Sequence, residues 1–148
     1  MTAVIQRVDR ADLYVSGELY SRIGRGLLIL LGVSVADTVK DAEVLAGKCS
    51  GLRIFEDEAL KMNRSVDDIG GEILVVSNFT LLADTKKGKR PSFIGAARPE
   101  QARPLYERFT QLLKTEKPVQ TGVFGGDMKI DFINDGPITV IIRSEDLL

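Results

Sequence analysis

Residues 11–15, ADLYV, alternate apolar and polar positions with the period of two that sends successive side chains to opposite faces of a strand, and AVIQRV, residues 3–8, reads with them as a β-rich start. ELYSRI, residues 18–23, follows across Ser16-Gly17, a pair suited to a two-residue hairpin turn. GLLILLGVS, residues 26–34, is apolar almost throughout and predicts a buried central strand. From Asp37 the period changes. Val39, Ala42, Leu45, Ala46 and Cys49 recur at three and four residues, which predicts a helix opening near Asp37 or Thr38 and closing before Gly51, with Cys49 in the core. LRIF, residues 52–55, reads as a short strand, residues 56–71 as a polar excursion, and EILVVS as a buried strand ending at Ser77. A long connection punctuated by Gly and Pro covers 83–98. Ala102, Leu105, Tyr106, Phe109, Leu112 and Leu113 then mark a second amphipathic helix, with Pro99 in its first turn and Pro104 as a kink or a delayed start.

Two strands, Met128–Ile133 and Ile138–Arg143, close the chain. Asp135-Gly136 between them reads as a tight hairpin turn, with Pro137 as the first residue of its strand. A second reading makes Gly136-Pro137 a cis peptide with its carbonyls aimed at a ligand. Only ~5% of X-Pro bonds are cis, so this stretch does not decide between the two. The sum is an α/β protein, one layered domain over 1–148, with a β-rich N-terminal unit, two main helices and a C-terminal β-hairpin.

The chain has 148 residues, 44% of them hydrophobic, which suits one domain with a core. No stretch approaches the ~20 apolar residues of a membrane span, and the N-terminus alternates like a strand rather than a leader. A cytoplasmic protein with no membrane partner is expected, and the single Cys49 cannot form an internal disulfide. The net charge of −1 gives no global field for nucleic acid, so any such contact must be local. Histidine is absent, which removes the Ser-His-Asp and Cys-His routes to an activated nucleophile and, with one cysteine, an ordinary zinc site. Asp127 and Asp131 alternate with apolar Met128, Ile130 and Phe132, the wet face of a strand rather than a magnesium site. No metal and no cofactor is expected.

Strand ends and long loops are where sites are built. SNFTL, residues 77–81, sets Ser77, Asn78 and Thr80 just beyond an apolar strand, although such residues also end ordinary strands. KKGKRPSF, residues 86–93, gathers Lys86, Lys87, Lys89 and Arg90 around Gly88, either a solvated loop or a contact for phosphates.

Taken in order, SNFTL, KKGKRPSF, VFGGDM at 123–128 and NDGPIT at 134–139 resemble the D-aminoacyl-tRNA deacylase family over essentially the whole chain. The resemblance implies an enzyme of translation proofreading. It would hydrolyse the ester of D-aminoacyl-tRNA, and of glycyl-tRNA mischarged on other tRNAs. It also implies a homodimer in which a cis Gly136-Pro137 enters the partner's active site and screens chirality with its carbonyls. Ser77, Asn78, Phe79 and Thr80 would then line the catalytic pocket. Phe124 and Met128 would lie near the terminal adenosine and the pocket wall, Asn134 would belong to the selectivity segment, and Lys86, Lys87, Lys89 and Arg90 would face the acceptor stem. The family usually has glutamine where this chain has Asn78.

Acyl transfer to water needs an activated water and a place for the oxyanion. Thr80 has no identified base beside it and is a poor nucleophile. The resemblance points instead to assistance by the ribose 2′-hydroxyl of the substrate, with backbone N–H groups near Phe79 and Thr80 facing the oxyanion. Two rival readings stand beside this one. One is a non-enzymatic RNA-binding or assembly module with NDGP as a plain turn; the other is a hydrolase of another small ester or amide acting through Thr80.

Overall fold

A computed structural model describes all residues, Met1–Leu148. The first two predicted strands are one: β1 runs Thr2–Val15 and turns at Ser16-Gly17, both at positive φ, into β2, Glu18–Ile23. β3, Gly26–Gly32, lies antiparallel to the first half of β1 and parallel to β6, Glu72–Ser77, which pairs with the short β7, Gln120–Thr121. The expected strand at 52–55 shrinks to β4, Phe55–Glu56, paired with β5, Met62–Arg64, in a small separate hairpin.

Helix α1, Val39–Ser50, starts and stops where the periodicity put it. The Asp41 carboxylate accepts from the Thr38 N–H at 2.9 Å, satisfying one of the donors that a helix start leaves free. Helix α2, Pro99–Leu112, begins on Pro99, whose missing N–H costs nothing there, and continues through Pro104, so there is no delayed start. Both helices cover one face of the sheet. Leu27, Ile29, Ile73 and Val75 meet Leu45, Cys49, Leu105 and Phe109 in the larger core, and burial pushes the Cys49 thiol up to about 12. On the other face Leu28, Leu74 and Val76 join Val8, Ala11, Leu13 and Ile23 in a smaller core, bordered by half-buried Leu30, Met128, Ile130 and Phe132.

The C-terminal hairpin is corrected. Residues Met128–Arg143 form one strand, β8, and both of its halves run antiparallel to β1, so the chain never reverses. Between the pairs Val8↔Asn134 and Gln6↔Thr139, β1 advances two residues while β8 advances five, and Asp135 to Ile138 are extruded from the ladder. Pro137 has no N–H to give to a ladder, and the Gly136-Pro137 peptide is cis. Asn134 closes the neck, its side-chain amide donating to the Arg7 and Ile138 carbonyls at 3.0 Å each.

The excursion marks a change of sides. On β8, Ile130 and Phe132 face the smaller core, whereas Ile138, Val140 and Ile142 face the larger one. β1 makes the same exchange between Ile5 and Val8. The side chain of Arg7 is buried at this crossing. It donates to the Ile54 carbonyl at 2.8 Å and to Glu56 at 3.1 Å, holding the Glu56 carboxyl below its usual range. Its Nε lies 3.0 Å from Asp135 Oδ2, an ion pair without hydrogen-bond alignment.

Candidate active site

β3 and β6 are parallel and end side by side, with Leu31 opposite Ser77. The carboxyl ends of parallel strands are where open α/β sheets place their ligands. Here they floor a cleft of about 660 Å³. Ser77, Asn78 and Phe79 enter it from the end of β6, Phe124 and Met128 from the segment that leads into β8, and Pro99 and Ala102 from the start of α2. Five residues named from the sequence therefore share one cavity. The contribution of α2 was not foreseen; its signal was Pro99 opening a helix directly after a long loop.

Beyond Ser77 the chain makes a single tight turn, Phe79–Leu82, where the sequence reads only as a strand end. Asn78 caps it, its Oδ1 accepting the Thr80 N–H at 3.2 Å and the Thr80 hydroxyl proton as well. Gly32 makes room for the turn, since a Cβ there would run into the Leu82 side chain and stand 3.1 Å from the Asn78 carbonyl oxygen. The cap fixes what Thr80 can do. Its N–H is occupied and its hydroxyl gives its proton to an amide oxygen, not to a base. The Phe79 N–H stands at the first position of the turn, where no intrahelical acceptor exists. Of the two backbone donors expected to face an oxyanion, Phe79 is the one left to do so.

The half-exposed Phe79 ring meets Phe93 edge-on at 5.2 Å, a contact of the kind worth about 0.5–1.5 kcal/mol, and so ties the long loop to the rim of the cleft. Asp84 and Ser92 exchange backbone hydrogen bonds of 2.8 and 2.9 Å that pinch off an exposed tip carrying Lys86, Lys87, Lys89 and Arg90. None of the four forms an ion pair with a carboxylate. At the opposite wall Phe124 leans on Tyr106 at 5.8 Å, and the Arg103 guanidinium lies 4.8 Å from the centroid of the Phe124 ring. Tyr106 is buried and donates to the Val75 carbonyl at 2.9 Å; burial pushes its phenol up to about 12, so it stays neutral.

Asn134, Gly136 and Pro137 do not line this cleft. From Ile130, which does, the strand runs on for ~13 Å to Asn134 before Asp135 to Ile138 leave the ladder. Gly136 and Pro137 are exposed beyond that point.

Residues 4–143 match the family described as D-Tyr-tRNA(Tyr) deacylase. The chain belongs to the D-Tyr-tRNA(Tyr) deacylase family. It is 53% identical over 148 residues to the D-aminoacyl-tRNA deacylase of Parabacteroides distasonis, covering 99% of each chain. It is 55% identical to that of Chloroflexus aurantiacus, covering 99% of this chain and 92% of that one. A solved structure described as a c-Myc DNA unwinding element binding protein superposes with a TM-score of 0.89 at 46% identity, over 97% of this chain and 98% of that one. For this member of the D-Tyr-tRNA(Tyr) deacylase family, the cleft holds no histidine or cysteine, and Asp127 at its exposed edge is its one ionisable lining residue. No helix is long and apolar enough to cross a membrane.

Proposed function

We propose that the chain hydrolyses the ester of D-aminoacyl-tRNA, releasing the free D-amino acid and tRNA, and that it removes glycine from mischarged tRNA by the same route. The observation that carries this reading is the cleft itself, which joins Ser77, Asn78 and Phe79 to Phe124 and Met128 in a chain 53% identical to a D-aminoacyl-tRNA deacylase. The terminal adenosine stacks on Phe124, and the ribose 2′-hydroxyl, held beside the ester, positions or activates the water. Proximity of that kind is worth roughly 7 to 11 kcal/mol at best. The Phe79 N–H receives the oxyanion, a role in which one donor contributes about 3 kcal/mol.

Selectivity comes from Gly136-Pro137 of a second copy. Their place beyond Asn134, outside their own cleft, supports a site completed across a homodimer. Half-buried Met128, Ile130 and Phe132, on one face of β8, offer apolar surface for such a contact. The Gly136 and Pro137 carbonyls hold the amino group of the substrate and crowd one side of its α-carbon. An L side chain meets backbone; a D side chain or the hydrogen of glycine does not. Lys86, Lys87, Lys89 and Arg90 take the acceptor-stem phosphates. The work of such an enzyme is proofreading in the cytoplasm.

The deciding experiment compares D- with L-tyrosyl-tRNA after chelation of metals. Release of D-tyrosine only is expected. Tight binding of both without release would support a nucleic-acid-binding module instead, the kind of role that the description of the solved relative names.

Thr80→Ala removes a hydroxyl but leaves the backbone cap by Asn78 intact. Its single-turnover rate should stay within about fivefold of the parent, the worth of one neutral hydrogen bond. An acyl-enzyme trapped on Thr80 would make that residue the nucleophile.

Reversing all four loop charges, Lys86, Lys87, Lys89 and Arg90 to Glu, should weaken tRNA binding and flatten its salt dependence, because fewer counterions are released. Titrations between low and moderate salt read this directly. An unchanged slope would return the loop to solvent.

A further inference from the structure

Beyond Phe124 lies a second groove of about 410 Å³, lined among others by Tyr20, Arg103, Glu107 and Gln111. Phe124 belongs to both cavities, so one aromatic ring separates this groove from the catalytic cleft. Arg103 and Glu107 stand four residues apart on α2, the spacing at which opposite charges pair across a turn. They do not pair. Arg103 lies over the Phe124 ring at 4.8 Å, and Glu107 forms no ion pair with any cation. Tyr20, 56% exposed on the edge strand β2, stacks on no other ring.

The groove therefore offers a planar phenol, a planar cation, an uncommitted carboxylate and the amide of Gln111. Aromatic rings and guanidinium planes stack on nucleobases. A carboxylate repels phosphate but accepts a hydrogen bond from the exocyclic amine of a base, as Asp and Glu do with the cytosine amino group. The seat thus fits a base, with the Arg103 guanidinium as one of its stacking planes.

We propose that this groove binds the nucleotide immediately 5′ of the terminal adenosine, stacking its base against Tyr20 and Arg103, and that Glu107 selects cytosine over uracil there. This rests on the deacylase reading for the occupant of the first cleft. Phe124 then acts as the divider between two successive nucleotides.

The test compares D-tyrosyl esters of adenosine, cytidylyl-adenosine and uridylyl-adenosine in single-turnover hydrolysis. For the parent, kcat/KM should rise about tenfold from the nucleoside to the cytidylyl dinucleotide, the scale of one base stack, and less for the uridylyl one. Tyr20→Ala and Arg103→Gln should bring that ratio toward one. Arg103→Lys, which keeps the charge and loses the plane, should do the same. Glu107→Gln should keep the gain and lose the preference for cytosine. A parental ratio of one, or variants that lose the same factor on all three esters, would overturn the proposal while leaving the deacylase reading in place. Should the small esters react too slowly to follow, the variants are read on D-tyrosyl-tRNA carrying cytosine or uracil before the terminal adenosine. No discrimination by the parent there would also overturn it. Failure of the parent to hydrolyse D-tyrosyl-tRNA at all would instead sink the deacylase reading.

Discussion

Gly136→Val should abolish hydrolysis of D-tyrosyl-tRNA in a protein that stays folded and still binds tRNA. Gly136 sits at φ +124°, a conformation that a side chain with a Cβ rarely adopts, and a Cβ there would stand 2.8 Å from the Ile138 nitrogen and 2.5 Å from its Cγ1. The extruded segment must move to relieve this. Gly136 and Pro137 are exposed, while Asp135 pairs with buried Arg7 and Ile138 borders the larger core, so a modest loss of stability is expected while the carbonyls proposed to face the substrate lose their aim. A misplacement of about 1 Å can cost a hundredfold in rate, and at least that loss is expected here. Circular dichroism melting and a filter-binding titration establish that fold and tRNA affinity survive. Parental activity in the folded variant would remove Gly136-Pro137 from the site.

Replacing the terminal ribose by 2′-deoxyribose should slow release of D-tyrosine by roughly three orders of magnitude, a fraction of what good proximity supplies. The protein has little to substitute for the lost hydroxyl. Thr80 is committed to Asn78, the cleft has no histidine or cysteine, and Asp127 is exposed at the far edge near Gly126. Single-turnover rates at saturating enzyme separate chemistry from binding. Equal rates for the two termini would take the hydroxyl out of the mechanism and leave a protein group, as yet unassigned, to activate water.

Both helices and the buried strands β3 and β6 were legible in the sequence, because a sustained period of 3.6 and an uninterrupted apolar run each have one good structural solution. The end of the chain was not legible. A period of two says which side chains share a face, yet it does not say which strand lies alongside. Asp135-Gly136-Pro137 serves equally as a turn that reverses the chain or as a bulge that lets it continue. What settles the matter is long-range: both halves of β8 find partners on β1, and both strands exchange one core for the other at the same point, around Arg7. In the sequence Arg7 is simply one of two adjacent polar residues, with Gln6, in a β-rich start. Its burial follows from contacts with Ile54 and Glu56, nearly fifty residues on, that no local pattern encodes.

The cleft was legible only through the ordered set of motifs, not through chemistry, since Ser, Asn, Phe and Met are ordinary residues singly. The occupation of the Thr80 N–H was beyond reach for the opposite reason. It depends on a side-chain oxygen two residues away adopting one rotamer, which the shorter reach of asparagine at position 78 allows.

The proposed homodimer, with Gly136-Pro137 of one copy completing the cleft of the other, has a consequence that genetics can read. Lesions in this gene should fall into two complementation groups even though it encodes one chain. An allele with a ruined cleft keeps a sound Gly136-Pro137 to lend, and an allele ruined at Gly136 keeps a sound cleft to receive it. In a mixed dimer one site collects both defects and the other collects none. A cell carrying the two broken alleles together should therefore tolerate D-tyrosine better than a cell carrying either alone, whereas two alleles from the same group should show no such rescue.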